Sequence, residues 1–373
     1  MKKVYCDISA TTPINSDVAK LMFDVQKNIF GNPSSIHEFG QKSKVMIERA
    51  RLEIAQNMGC SMSEIIFTCG GSMSNNMALL GTLKKGDHLI TSSYEHPAIL
   101  KVSDYLKKEG IEVTLAKPNK KGTIEAKTVE KAIKNNTKLI SIMYINNEIG
   151  TINPIEEIAA IAKKNNILVH TDAVQAMGKI KLNIKELGVD LMSLSGHKFY
   201  APKGVGLLFI KENTPIKPIF FGGGQESQLF SGTENVISIG ALAEALKICC
   251  NDLNNNIKTL KDLDTYFISL LNKNNIDYKI NGTNRVPGIL NITIPNTHSS
   301  SFIINLDREG YAISAGSACA SGSIKGSHTL KEIGLTDDDI DKSYRISFGK
   351  FHKKDDVENL FHIIAKNIKD KIL

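Results

Sequence analysis

Short apolar runs alternate with helix-like segments between residues 64 and 210 of this chain. The apolar runs have the length of strands, and the segments between them carry apolar residues at helical spacing. Such alternation predicts a mainly parallel sheet covered by helices on both faces, because parallel strands need crossover connections. The sequence therefore predicts an α/β fold for its larger part.

The composition and the residue pattern change after residue 210, which indicates a second, smaller unit. A glycine-rich polar loop and a helix lead into a lysine- and asparagine-rich segment at 254–275, and short strands and helices follow. At 373 residues the chain is long enough to bury two cores. We predict a large domain at 13–251 and a smaller α+β domain formed by 1–12 and 252–373.

Polar side chains follow two of the predicted strands. Asp172 and Gln175 follow the strand at 167–170, and Ser195, His197 and Lys198 follow the next strand along the chain. Ligands of an open α/β sheet bind beyond the carboxyl ends of its strands, so these groups should converge.

A lysine and a carboxylate at such a place have a specific chemical use. The lysine can form a Schiff base with an aldehyde cofactor, and the carboxylate can keep a pyridine nitrogen protonated. The pattern indicates a pyridoxal phosphate site, although an Asp and a Lys near strand ends are more often a solvated ion pair or a helix cap.

A glycine turn follows the strand predicted at 64–69. The turn at 70–76 leads into a helix predicted at 76–83. A strand, a glycine turn and a helix together present backbone N–H groups to a phosphate. Taken alone this signal is weak, because many strand–helix loops share it.

Composition and charge narrow the class of protein. The net charge is +7, but the lysines are scattered, which favours a solvated surface over direct nucleic-acid binding. No run approaches the roughly 18 apolar residues of a membrane span, and the N-terminus lacks the pattern of a signal peptide. We predict a cytoplasmic protein with no membrane partner.

The six cysteines form no CxxC pair, which argues against a structural zinc site. Cys319 differs from the others in its surroundings. It lies in the segment SAGSACASGSIKGSH, where small residues should leave a thiol accessible to chemistry.

An ordered set of motifs spans nearly the whole chain. It reads ATTP, FGNPSSIHEFG, YEH, NNEIG, HTDAVQ, SGHKFYAPKG, GGGQE, SGT, SAGSAC and RISFGKF. Together the motifs resemble those of the cysteine desulfurases, pyridoxal phosphate enzymes of fold type I in the class V aminotransferase superfamily. That family converts L-cysteine to L-alanine and holds the sulfur as a persulfide on a loop cysteine.

The resemblance also implies partners. The long loop around Cys319 resembles that of the group I desulfurases, which serve iron–sulfur and nitrogenase cluster assembly. We therefore expect a homodimer that passes sulfur to an iron–sulfur scaffold protein or another sulfur acceptor, including thiolation enzymes.

The resemblance implies a role for each chemical group. Lys198 would form the Schiff base and move the Cα proton, and Asp172 would face the pyridine nitrogen. Gln175 would hydrogen-bond the phenolate oxygen, and His96 would stack on the ring and act as an acid or base. Cys319 would be the nucleophile; no resident metal is expected, although Cys319 would contact an iron–sulfur cluster during transfer.

A further set of residues is implied to bind the phosphate, the cofactor and the substrate carboxylate. The planar fork of arginine suits a carboxylate because it donates two parallel hydrogen bonds. The residues implied to bind the phosphate are Gly71, Ser72, Ser195, His197 and, from the second subunit, Thr233. Asn147 is implied to contact the cofactor or the substrate, and Asn32 and Arg345 are implied to bind the carboxylate.

Three departures from the usual family pattern leave alternatives open. Phe230 stands where an arginine usually precedes Ser-Gly-Thr, Met73 stands where a glutamate is common, and Cys6 and Cys69 replace commoner residues. One alternative is a selenocysteine lyase or another class V lyase or transaminase, against which Cys319 argues. The other is a weakly active regulatory subunit.

Overall fold

The protein, described from a computed structural model, folds as an α/β structure whose described residues are 3–316 and 326–369. The strands of these ranges are β1 (Val4–Tyr5), β2 (Ile65–Thr68), β3 (His88–Ser92), β4 (Glu112–Ala116), β5 (Thr137–Ser141), β6 (Leu168–Asp172), β7 (Leu191–Ser195), β8 (Gly206–Ile210), β9 (Lys279–Ile280), β10 (Ile289–Thr293), β11 (Tyr311–Ala312) and β12 (Ser343–Ser347).

Helices cover the sheets and connect the strands. They are α1 (Ser16–Asn28), α2 (Glu38–Met58), α3 (Gly71–Thr82), α4 (Pro97–Lys108), α5 (Ala126–Lys131), α6 (Ile155–Lys164), α7 (Ile184–Leu187), α8 (Val236–Asn251), α9 (Leu253–Lys273), α10 (Ser299–Arg308), α11 (His328–Glu332), α12 (Asp337–Asp341) and α13 (Lys354–Lys369).

A seven-stranded sheet forms the centre of the larger part, in the order β2-β8-β7-β6-β5-β3-β4. Five adjacent strands pair in parallel, in the order β4, β3, β5, β6 and β7. β8 runs antiparallel to both β7 and β2. Only a short 3₁₀ helix lies between β7 and β8, too little chain for a parallel crossover. The predicted α/β fold with a mainly parallel sheet is confirmed.

A smaller sheet lies in the C-terminal part of the chain. It has the order β12-β10-β9 and is antiparallel, and β1 pairs separately with β11. A second apolar core packs here, and Val4 and Cys6 of the N-terminal segment belong to it together with Phe267, Phe302 and Phe361. The predicted smaller α+β part is confirmed, whereas the boundaries 13–251, 1–12 and 252–373 stay a prediction.

One predicted helix begins earlier than expected, and one segment that had no predicted structure forms a helix. The helix predicted at 76–83 begins at Gly71, because Gly70 takes the N-cap position with a φ of +135° that a residue with a Cβ rarely adopts. The lysine- and asparagine-rich segment forms α9, whose buried residues include Leu260, Leu263 and Phe267 at helical spacing.

The carboxyl ends of β6 and β7 meet at one edge of the large sheet. Asp172 ends β6 and Ser195 ends β7, whereas the sequence analysis placed both residues just beyond the strand ends. The N-terminal segment crosses this edge, where Thr12 N donates to His197 O at 2.8 Å. Within the described ranges, no helix combines the length and the apolar character that a membrane crossing requires.

A buried ion pair supports the connection between α9 and β10. Arg285 Nη1 lies 2.6 Å from Asp264 Oδ2, and Gly288 N donates to the same oxygen at 3.1 Å. Burial raises the pKa of Asp264, and the charge of Arg285 opposes this rise. The pair therefore depends on both partners, since a buried charge without its counter-ion is costly.

We predict that Arg285→Met lowers the free energy of unfolding by about 3 kcal/mol, because it leaves the Asp264 carboxyl buried without its cation. Chemical denaturation measures this loss. Lys331→Met provides the control, because Lys331 and Asp337 form an exposed pair, and we expect a change below about 0.5 kcal/mol. Equal losses in the two variants would contradict the account.

Candidate active site

Asp172 is a buried carboxylate at the carboxyl end of β6, with 7% of its surface exposed. Asn75 Nδ2 on α3 donates to Asp172 Oδ2 at 2.7 Å, and Val174 N donates to Oδ1 at 3.0 Å. A carboxylate in the interior requires such donors. The two bonds fix its orientation.

Lys198 lies in the short 3₁₀ helix that follows β7. Its Nζ donates to Ser9 O at 2.7 Å and to Ala10 O at 2.8 Å. Gln175 Nε2 donates to the same Ser9 oxygen at 2.9 Å. The N-terminal segment thus brings the amine of Lys198 and the amide of Gln175 to one acceptor.

His96 is the N-cap residue of α4, and its Nδ1 accepts a hydrogen bond from Ala98 N at 3.1 Å. Burial lowers the pKa of His96; the charge of Asp172 opposes this effect and that of Lys198 adds to it. His96 therefore lies within electrostatic range of both groups. The neutral ring carries its proton on Nε2, because Nδ1 acts as the acceptor.

The N-terminus of α3 faces Ser195. Its N-cap residue, Gly70, has no side chain to cap the helix end, and a Cβ at Gly71 would lie 2.8 Å from Val174 Cγ2 and 3.3 Å from Ser195 Cβ. Glycine thus allows the helix end to approach β7 closely. Uncapped N–H groups at the positive end of a helix are suited to an anion such as a phosphate.

His197 lies beside this edge of the sheet, and its Nδ1 is 3.0 Å from Thr11 Oγ1. Burial lowers the pKa of His197 to about 4, and the neighbouring charge of Lys198 lowers it further. A neutral imidazole at this place can donate one hydrogen bond and accept another.

Arg345 on β12 is buried, with 1% of its surface exposed. Its Nη2 lies 2.6 Å from Asp7 Oδ1, and Nη1 donates to Asn147 O at 3.0 Å. Among the described residues, no acceptor pairs with Arg345 Nε. The structure thus joins Arg345 to Asn147 and to a carboxylate that the sequence analysis did not single out.

In the described chain, the side chains of three predicted site residues form no hydrogen bond with this group. Asn32 is exposed, and its Oδ1 accepts from Ser34 N at 2.9 Å. Thr233 is exposed in the loop before α8, and Ser72 is exposed in the first turn of α3. Cys319 lies outside the described residues.

Sequence reasoning missed several residues that shape the site. Asn75 was missed because the helix was predicted to begin at residue 76, beyond it. Asp7 and the carbonyl groups of Ser9 and Ala10 lie far from the site in sequence. No pattern of residue types could have identified these carbonyl groups, because every residue has a backbone oxygen.

Glu95, next to His96, was also missed. It is fully buried, and its Oε1 accepts from Ser92 Oγ at 2.5 Å and from Met143 N at 2.8 Å. Burial raises the pKa of Glu95 to about 8. The side chain joins the end of β3 to the segment after β5 and so supports the turn that presents His96.

The group as a whole fits pyridoxal phosphate. A buried carboxylate, a primary amine, a neutral imidazole and an uncapped helix N-terminus lie at one edge of the sheet. These are the groups that the ring nitrogen, the aldehyde, the ring face and the phosphate of this cofactor require.

Comparisons with known proteins agree with this chemistry. The family model described as aminotransferase class-V matches residues 4–360. A protein of Dictyoglomus turgidum named cysteine desulfurase IscS is 42% identical, covering 98% of this chain and 95% of its own length. The cysteine desulfurase IscS of Methanosarcina thermophila is 40% identical over 98% of this chain and 92% of its own.

Solved structures show the same fold. A NifS-like protein superposes with a TM-score of 0.93 at 33% identity and covers 99% of this chain and 100% of its own. SspA in complex with cysteine gives a TM-score of 0.84 at 36% identity, with 94% of this chain and 100% of its own covered.

The family-level prediction is confirmed, and with it the cofactor, because pyridoxal phosphate is the cofactor of this family. The full-length identities and the matching fold lead to one assignment: the chain belongs to the class-V aminotransferase family and, within it, to the cysteine desulfurases.

Proposed function

We propose that the protein releases L-alanine from L-cysteine at the edge of the sheet formed by β6 and β7, with Lys198 and Asp172 as its central groups. The observation that carries this proposal is the shared acceptor Ser9 O, which receives hydrogen bonds from Lys198 Nζ and Gln175 Nε2. The charges of Lys198 and of Asp172 both act on the neighbouring His96.

Each of these groups has a separate task. Bound pyridoxal phosphate supplies an electron sink for the bonds at the substrate Cα. Asp172 would hold a proton on the ring nitrogen, and Gln175 Nε2 would donate to the phenolate oxygen. Lys198 Nζ would take the Cα proton of the substrate, and neutral His96 would present its Nε2 proton nearby.

The phosphate and the substrate carboxylate would be held by other residues. The N–H groups of Gly71 and Ser72, together with Ser195 and His197, would bind the phosphate. Arg345 would bind the carboxylate after exchanging its contact with Asp7. Asn147 and Asn32 would complete these contacts.

We place the sulfur transfer on Cys319. Its thiolate would attack the sulfur of the substrate, so that an S–S bond forms as the C–S bond breaks. Cysteine and the Cys319 thiol are thereby converted to alanine and a Cys319 persulfide, with no external oxidant. The persulfide sulfur would pass to an iron–sulfur scaffold protein or another acceptor.

A reducing compartment suits this chemistry. The five described cysteines, Cys6, Cys60, Cys69, Cys249 and Cys250, are free thiols. We therefore propose that the protein acts in the cytoplasm, where thiols stay reduced.

We also propose that the protein is a homodimer. Large apolar side chains are exposed on two segments: Ile36 (94%) and Phe30 (69%) flank Asn32, and Phe221 (84%) lies on the loop that carries Thr233. Both segments line one cavity of ≈ 470 Å³. An apolar surface of this kind indicates a protein interface, across which Thr233 would reach the second phosphate site.

We predict that Cys319→Ala abolishes alanine formation from L-cysteine, while the protein still takes up pyridoxal phosphate and is yellow. Alanine, sulfide released by a thiol reductant and the visible spectrum are measured together. Cys60→Ala serves as the control and should keep its activity. Undiminished alanine formation by Cys319→Ala would indicate a different lyase, and a colourless wild type would contradict the enzyme assignment.

For the dimer, we predict that Ile36→Asp combined with Phe221→Asp converts the protein from two chains to one, because each change places a charge in the apolar contact. Light scattering after size exclusion measures the mass. Ile304→Asp on α10 places the same charge on an exposed apolar position outside these segments and should leave the dimer intact. A monomeric wild type would refute the proposal.

A further inference from the structure

Lys179 is a buried lysine four residues beyond Gln175 in a run of turns, with 6% of its surface exposed. Its Nζ donates to Gln175 Oε1 at 3.2 Å, and within 3–316 and 326–369 this is its hydrogen-bond partner. Burial lowers the pKa of Lys179 to about 8, so the ammonium still predominates at neutral pH. No step of the reaction described above uses this charge.

Burying an ammonium whose acceptor among the described residues is one neutral oxygen is energetically unfavourable, because the charge loses its hydration. If only volume mattered here, a methionine of similar length would cost less, because it carries no charge to desolvate. The neighbouring Cys249 is itself buried, and its ordinary thiol form supplies no counter-charge, since burial raises its pKa to about 12. The charge of Lys179 therefore requires another explanation.

The two ends of the Gln175 amide have opposite hydrogen-bonding capacities. The oxygen accepts, and the nitrogen donates. An ammonium can only donate, so Lys179 binds the oxygen, and the amide nitrogen must then point the other way. There it donates to Ser9 O at 2.9 Å, beside Lys198 Nζ.

The reversed amide would be opposed at both ends. Gln175 Nε2 would face the Lys179 ammonium, donor against donor, and Oε1 would face the Ser9 carbonyl, acceptor against acceptor. Ser9 O is also an acceptor for Lys198 Nζ, so its preference for Gln175 weakens whenever that amine binds it. The Lys179 ammonium, by contrast, can only donate to Gln175, whether or not Lys198 binds Ser9 O.

We propose that Lys179 is a positioning residue that fixes the amide of Gln175 with its nitrogen towards Lys198 and the bound cofactor. This inference rests on the proposed function, because it assigns Gln175 Nε2 as the donor to the anionic phenolate oxygen of pyridoxal phosphate. Lys179 acts through Gln175 and touches neither cofactor nor substrate.

The test is a pH titration of the visible absorption of the cofactor-loaded protein. Gln175 Nε2 would donate to the anionic phenolate oxygen and so weaken the attraction of that oxygen for a nearby proton. Loss of this donor therefore raises the pH at the midpoint of the absorption change. We expect Lys179→Met to raise the midpoint by roughly half to one pH unit, the size of one lost hydrogen bond. Lys181→Met makes the same change at an exposed position and should leave it unchanged.

A double-variant cycle separates positioning from an independent effect. Gln175→Leu removes the donor itself and should raise the midpoint at least as far. If Lys179 acts through Gln175, adding Lys179→Met to Gln175→Leu produces no further shift. An additional shift of the single-variant size would overturn the inference.

Thermal unfolding of the cofactor-free protein distinguishes a merely structural role. Loss of a buried charge should leave the Tm of Lys179→Met unchanged or raised. A lowered Tm with an unshifted midpoint would overturn the inference and leave the proposed function standing. If Lys179→Met does not fold, Lys179→Gln replaces it: a neutral amide can donate or accept, so Gln175 is no longer oriented and the midpoint should again rise.

The control for the whole series is the wild type. A wild-type protein that shows no visible band with pyridoxal phosphate would overturn the proposed function and this inference with it. A wild-type band with a normal titration, unchanged in Lys179→Met, would overturn the inference alone.

Discussion

The hydrogen bonds that hold the Asp172 carboxylate inside the protein are the constraint on which the site depends. A carboxylate that is 7% exposed at the end of a central strand is stable only with donors close to it, and Asn75 and Val174 provide them. Asn75 can do so because α3 begins at Gly71, and that start depends in turn on the unusual backbone of Gly70. The helix end that faces Ser195 and the buried carboxylate are therefore products of the same turn.

The N-terminal segment connects this constraint to the smaller sheet. Val4 and Cys6 belong to the core of the C-terminal part, whereas Ser9 and Ala10 supply the carbonyl oxygens for Lys198. A few residues thus join the two cores at the edge of the sheet where we propose that the reaction takes place. This arrangement makes the orientation of Lys198 and Gln175 a property of the whole fold, since neither side chain is held by its own strand alone.

Much of the fold and part of the site could be predicted from the sequence. The positions of Asp172, Ser195 and Lys198 at one edge of the sheet could be predicted, because strand ends are visible in the apolar pattern and parallel strands end at a common edge. Asn75 was not found, because glycine and serine at 70–74 hid the start of α3. The carbonyls of Ser9 and Ala10 were not found either, since their role depends on chain path and not on residue type.

Other parts of the site depend on information that a single sequence does not contain. Thr233 is exposed in the described part of its own chain, and its predicted role lies in the second subunit. Asn32 is exposed as well, and its predicted role beside Arg345 stays a prediction. Arg345 and Asp7 are paired although they lie 338 positions apart, and no local sequence pattern predicts this pair. The helical character of α9 was obscured by its lysines and asparagines, although its apolar residues have the spacing of a helix.

The proposed function depends on Asp172, which would keep a proton on the ring nitrogen of the cofactor. The most direct measurement is nitrogen-15 NMR of the protein loaded with pyridoxal phosphate labelled at that nitrogen, for the wild type and for Asp172→Asn. We expect a protonated nitrogen in the wild type and an unprotonated one in Asp172→Asn, because the amide carries no negative charge to favour the proton. The same protonation state in both proteins would contradict it.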